Sequence, residues 1–141
     1  MDIHIITETY AVSPQVEPGD MAAIAAAGYA TVICNRPDHE VEPALQSDAM
    51  RKAAEAAGLT FVYNPVENGA MTMDMVETQG STLAEAPGKV FAYCRSGTRC
   101  SIVWALSRAG QEPTDQIIAA ARNAGYDIAG LAPQIDSLAS R

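Results

Sequence analysis

The sequence is short of positive charge, of thiols and of long apolar runs, and each shortage removes a class of function. Nine Lys and Arg stand against 17 Asp and Glu, a formal net charge of −8. Such a surface repels a phosphate backbone, which argues against nucleic acid as a partner. Otherwise acidic surfaces chiefly support solubility. No segment approaches the roughly 20 apolar residues of a membrane span. The opening MDIHIITETY lacks the basic region and apolar core of a secretion signal. The expectations are a cytoplasmic location and no membrane partner. Three cysteines, Cys34, Cys94 and Cys100, are too few for a disulfide framework and lack paired zinc-ligand spacing. No metal and no other cofactor is expected. His4 and His39 have no ligand set near them and read as surface or satisfied side chains. There is no internal repeat and no low-complexity linker.

What is present suits one globular domain over residues 1–141, with 48% hydrophobic residues and enough length to bury a core. DIHIITETYAVSP predicts one strand or a small hairpin ending at Pro14. EPGDMAAIAAAGY predicts a helix stopped by Gly28. YATVICN predicts a short buried strand and RPDHEVEP a loop. SDAMRKAAEAAG predicts a helix with Ser47 as N-cap and Gly58 just past its end. LTFVYNP is the next strand. MDMVETQGSTLAEAPG follows as a helix, capped by Thr72, with Asp74 in its first turn and Gly80 weakening its middle. KVFAY predicts a strand, RCSIVWALSRAG a helix, and PTDQIIAAARNAGYD another that closes at Gly125. LAPQIDSLASR has room for one or two more helical turns. Strands alternating with helices of about ten residues imply a three-layer α/β fold, its mostly parallel sheet of about four to five strands covered on both faces. In such sheets the site lies beyond the carboxyl ends of the strands. The loops after Cys34 and from Cys94 both fall there.

The stretch VFAYCRSGTRCSIVWAL carries the chemistry. Cys94 ends a strand, a loop of small and basic residues follows, and then a helix starts. Gly97 tolerates the positive φ that a tight ring needs. A loop curled this way turns the N–H groups of Ser96, Gly97 and Thr98 inward as an anion nest. The helix N-terminus adds partial positive charge. All of this favours thiolate, so Cys94 reads as a nucleophile with a depressed pKa. Arg99 offers a fork of donors to an anion. Arg95 either guides anionic substrates or faces solvent. Arg36 is a second anion contact at the pocket mouth or the partner of Asp38. Cys100 is either a resolving thiol or a small packed residue. Cys34 either joins a thiol cluster or is a plain strand residue. Met71, Met73, Met75 and Trp104 read as packing.

YCRSGTR resembles the active-site loop of rhodanese-type sulfurtransferases, in which a cysteine opens a six-residue loop and carries a persulfide. Tyrosine and dual-specificity phosphatases use a similar loop, one residue longer before its arginine. Here Cys100 stands where a phosphatase has that arginine, and Tyr93 replaces the histidine before the cysteine. YAVSPQVEPGDMAAIAAAGYATVICNRPD, LAEAPGKVFAYCRSGTR and AGYDIAGLAP together resemble a bacterial family with two descriptions. One is the phosphatase-like domain of beta-lactamase-hydrolase-like proteins; the other is a small sulfurtransferase family. The resemblance covers nearly the whole chain and implies a cysteine-phosphatase-like fold. It also implies a pocket-shaping role for Asn35, Arg36 and Asp38. Cys100 departs from the family, which usually has serine there.

Loop length favours sulfur. A phosphoryl group in flight has three equatorial oxygens to surround, whereas a persulfide sulfur needs a smaller cradle. A phosphatase also needs a proton donor for its leaving oxygen. Glu67, on the loop after a strand, is the candidate, though it also reads as a solvated acid. The expected activity is sulfur transfer from thiosulfate or a small persulfide, through a Cys94 persulfide, to a protein or low-molecular-weight thiol or to cyanide. A cysteine-dependent phosphatase is the alternative. A thiol sensor or sulfur carrier without turnover is a third.

Overall fold

A computed structural model describes all residues, 1–141. Five strands and six helices build it. The strands are β1 (His4–Thr7), β2 (Tyr10–Ser13), β3 (Tyr29–Cys34), β4 (Thr60–Tyr63) and β5 (Lys89–Tyr93). The helices are α1 (Met21–Ala26), α2 (Ser47–Ala56), α3 (Met73–Glu85), α4 (Thr98–Ser107), α5 (Thr114–Asn123) and α6 (Ala132–Ala139). The sheet order is β1-β2-β5-β3-β4. β2, β5, β3 and β4 run parallel, and only β1 is antiparallel, hairpinned onto β2 at the edge.

Residue alternation on the central strand sorts the core into two layers. Val90, Ala92 and Cys94 face a cluster with Val103, Trp104, Ile117 and Ile135, which brings α3, α4, α5 and α6 to one face. Phe91 and Tyr93 face a second cluster with Ile24, Met50 and Phe61, which brings α1 and α2 to the other. The predicted three-layer α/β architecture is the one observed. α4 is the most enclosed helix: seven of its ten residues are buried. That enclosure is why its sequence is apolar on nearly every side.

One local expectation changes. Gln46, not Ser47, is the N-cap of α2. Asp38 supplies the capping carboxylate from another segment, accepting from Ser47 N at 2.7 Å and from Ser47 Oγ at 2.8 Å. Gly80 lies within an unbroken α3. It lets α3 approach α4, because a Cβ there would lie 3.3 Å from Ser107 Cβ. Thr72 caps α3 as expected, accepting from Met75 N, with Asp74 in the first turn. No helix is long and apolar enough to cross a membrane.

Candidate active site

β5 lies between β2 and β3, so Cys94 leaves the sheet from its middle. The ladder still holds it there: Cys94 N donates to Ser13 O at 3.3 Å, and Asn35 N donates to Tyr93 O at 2.9 Å. α4 then begins four residues later without a capping side chain. The Cys94 sulfur does that work. Gly97 N donates to Cys94 Sγ at 3.1 Å. The backbone N–H groups of Ser96 and Cys100 also favour its charged form.

Gly97 is required twice over. Its φ is +93°, and a Cβ there would collide with the Tyr126 hydroxyl. Tyr126 in turn donates to Ser96 O at 2.9 Å and pins the crown of the loop. Ser101 Oγ, buried beneath, donates to Gly97 O at 2.9 Å. Ser96 and Thr98 bond each other at 3.0 Å and stay exposed, as does Arg95. Arg95 therefore faces solvent at the loop mouth.

The Cys94 thiol is pulled down to about 5. A hydrogen bond from the Cys100 thiol is the largest cause; burial opposes it, and the three loop amides add to it. Burial and the neighbouring Cys94 charge push Cys100 well up, so Cys100 keeps its proton. Cys94 and Cys100 lie in the same core cluster.

Cys34 does not join them. Its strand neighbours β5, but its side chain packs in the opposite cluster. Its thiol donates to Arg36 O at 3.3 Å, and burial pushes it up to about 11. A three-thiol relay is not formed. Along one strand edge, alternation sends successive positions to opposite faces.

Arg99 is buried, and its guanidinium is held rather than free. Nη1 donates to Glu40 Oε2 and to Val66 O, both at 2.8 Å; Nη2 donates to Glu40 Oε1 at 2.7 Å. Of five N–H donors, that leaves Nε–H and one Nη2–H, which together form the side-on fork suited to an oxyanion. The Cys94 charge contributes to a raised Arg99 pKa, after the Glu40 hydrogen bond, which is the largest cause. Arg36 is also committed: Nε donates to Glu40 Oε1 at 3.2 Å and Nη1 to Gln15 Oε1 at 3.3 Å. Its partner is Glu40, not Asp38, because Asp38 is taken by α2. Glu40 was not singled out in the sequence; nothing in HEVEP marks it.

Beneath the loop lies a polar network that the sequence also hid. Gln79 Nε2 donates to Asn35 Oδ1 and to Tyr10 Oη, both at 3.0 Å. Asn35 Nδ2 and Asn64 Nδ2 each donate to Gln79 Oε1 at 2.9 Å. Tyr10 Oη donates to Cys100 O at 2.8 Å. Asn35, Asn64 and Gln79 are all buried, and their amide N–H groups find acceptors within the group or on the Met75 carbonyl. The network joins β2, the ends of β3 and β4, α3 and the start of α4 at the base of the site. Asn35 thereby shapes the site from below.

Glu67 sits on the loop from β4 to α3, beside Arg99. Both line a cleft of about 290 Å³ with Asn68, Met71, Ile102 and Gln134. His39 Nε2 contacts Glu67 Oε2 at 2.8 Å and Oε1 at 3.0 Å. His39, Glu40 and Glu67 cluster closely enough to suggest a cation. Two arginines already occupy Glu40, so that reading has little support.

A parallel sheet that delivers a low-pKa cysteine to a helix N-terminus, with an arginine closing the loop, defines a cysteine-phosphatase-like domain. The family model for the phosphatase-like domain of beta-lactamase hydrolase-like proteins matches residues 2–111, and the chain belongs to that family. A beta-lactamase hydrolase-like protein of Xylella fastidiosa is 32% identical over 130 residues, 91% of this chain. The chain spans only 30% of that relative's length. A Neisseria meningitidis structure described as a candidate phosphatase is 36% identical, with TM-score 0.83, covering 98% of this chain and 99% of that one. A Shewanella putrefaciens structure described in the same way shares the fold, with TM-score 0.70 at 20% identity, covering 99% and 87%.

Proposed function

We propose that the protein is a cysteine-dependent phosphatase acting on phosphate monoesters. The observation that carries this reading is the Cys94 thiolate, held near pKa 5 by donors that converge at a helix N-terminus. At neutral pH it is a ready nucleophile. Cys94 Sγ attacks phosphorus in line, and the loop amides and the open fork of Arg99 receive the equatorial oxygens. Glu40 and Val66 O hold the guanidinium so that this fork costs no reordering when substrate arrives. Water then cleaves the phosphocysteine and returns the thiolate. The likeness of the whole chain to a structure described as a candidate phosphatase supports the same reading. The test is turnover of an aryl phosphate by the wild type beside Cys94→Ser. Activity confined to the wild type supports the proposal; equal activity in both opposes it.

Sulfur transfer, the activity first expected, is the second reading. One observation favours it: Arg99 follows Cys94 by five positions, and Cys100 occupies the sixth. A loop this short suits a terminal sulfur. Its acceptor would be a thiol or cyanide. A sulfur atom gained by Cys94 from thiosulfate, and removed by cyanide, is its signature.

A further inference from the structure

The histidine that sequence alone assigned to the surface has a partner and a place. His39 lies on the short turn Asp38–Glu40, and Glu67 lies on the loop after β4. His39 Nε2 meets both carboxylate oxygens of Glu67, at 2.8 and 3.0 Å. Nδ1 has no protein partner and remains available. The neighbours of this pair are the two groups that hold Arg99. Glu40 follows His39 in the chain, Val66 precedes Glu67, and both accept from Arg99 Nη1. The imidazole is thus tethered one residue away, on each side, from the guanidinium that receives substrate oxygens.

The pair contributes little to stability, because both side chains are well exposed, at 65% and 46%. Its position has a chemical use. In-line attack by a thiol at the base of the loop sends the leaving oxygen outward, toward the rim. Glu67, which holds His39, lines the same cleft as Arg99.

We propose that His39 is the general acid and base of this site, with Glu67 as the carboxylate that orients it. The inference rests on the phosphatase reading. In the first step the Sγ–P bond forms and the P–O bond breaks, and the proton on His39 Nδ1 passes to the leaving oxygen. In the second step neutral Nδ1 takes a proton from water as the water oxygen bonds phosphorus. The S–P bond breaks, its electron pair returns to Cys94, and inorganic phosphate leaves. Glu67 holds Nε2–H throughout. It also raises the His39 pKa, first through the hydrogen bond; Glu40 adds to this and Arg99 opposes it. These are the charged groups that face the ring.

The test compares two substrates. An alkyl phosphate needs a proton on its leaving oxygen; a nitrophenyl phosphate scarcely does. His39→Gln should lower the alkyl-to-aryl ratio of kcat/KM by about 100-fold. Glu67→Gln should move the basic limb of the alkyl pH profile to lower pH. NMR titration of the His39 ring should show the same downward move in that variant. An unchanged ratio in His39→Gln, or unchanged titration in Glu67→Gln, overturns the assignment while leaving the phosphatase reading intact. A wild type that hydrolyses neither substrate defeats the phosphatase reading itself, and the inference with it.

Discussion

Arg99 and Glu40, 59 positions apart, meet through two parallel hydrogen bonds of 2.8 and 2.7 Å. The side chains are 8% and 19% exposed, so the pair is largely withdrawn from water. Removing one partner from such a pair leaves a poorly solvated charge. Glu40→Gln should therefore lower stability by about 2–4 kcal/mol in urea unfolding, at the low end if water reaches the site. It should also weaken oxyanion binding, since the Arg99 fork loses its support.

The same pair sets an acid limb. Arg99 is the main cause of a Glu40 pKa below the usual carboxylate range. A depressed folded pKa adds stability above the unfolded value, and that stability is lost as pH falls through the folded one. Unfolding midpoints of the wild type should fall as pH drops below the ordinary carboxylate range. The Glu40→Gln midpoint should fall less steeply over the same window.

Cys100 is the main cause of the low Cys94 pKa. Cys100→Ala removes the S–H donor and should move the pH midpoint of Cys94 alkylation by iodoacetamide upward from about 5. Cys100→Ser keeps a donor and should stay near the wild type. Equal midpoints in all three proteins would assign the shift to the loop amides alone.

Gly97→Ala forces a side chain into a left-handed backbone and into Tyr126. The backbone alone costs about 1–2 kcal/mol. Stability should fall by at least that much, and Cys94 alkylation at pH 6 should slow. Tyr126→Phe deletes the bond to Ser96 O without crowding and should cost only about 1 kcal/mol.

Gln79 tests the network under the loop. Gln79→Leu keeps volume but leaves Asn35 Oδ1 without its donor and takes one acceptor from each of Asn35 Nδ2 and Asn64 Nδ2, on two buried residues. The loss should reach about 2–4 kcal/mol, since buried polar groups without partners pay full desolvation.

Local signals in the sequence account for much of this architecture. Alternating apolar strands and helices located every element of the sheet and α1 to α5. Thr72, Gly97 and Gly125 marked their turns and caps. The Cys94 loop was visible because its residues are contiguous. Glu40, Asn64, Gln79, Tyr10 and Tyr126 were not, because their partners lie far along the chain and each residue is ordinary where it stands. The Ser47 cap failed for that reason: Asp38, nine positions earlier, took over the capping. Cys34 is the plain strand residue of its two readings, because strand order placed it beside β5 while side-chain alternation turned it away. The balance between sulfur and phosphorus rested on loop length and on the want of a clear proton donor, and contacts such as Arg99 with Glu40 lay beyond both arguments.

The most direct measurement is the intact mass of the protein, quenched at neutral pH within its first turnover of an aryl phosphate. A gain of one phosphoryl group on the peptide bearing Cys94, absent in Cys94→Ser, is the expected result. No phosphoryl gain, in a protein whose Cys94 takes one sulfur atom from thiosulfate, would contradict the phosphatase assignment and establish sulfur transfer in its place.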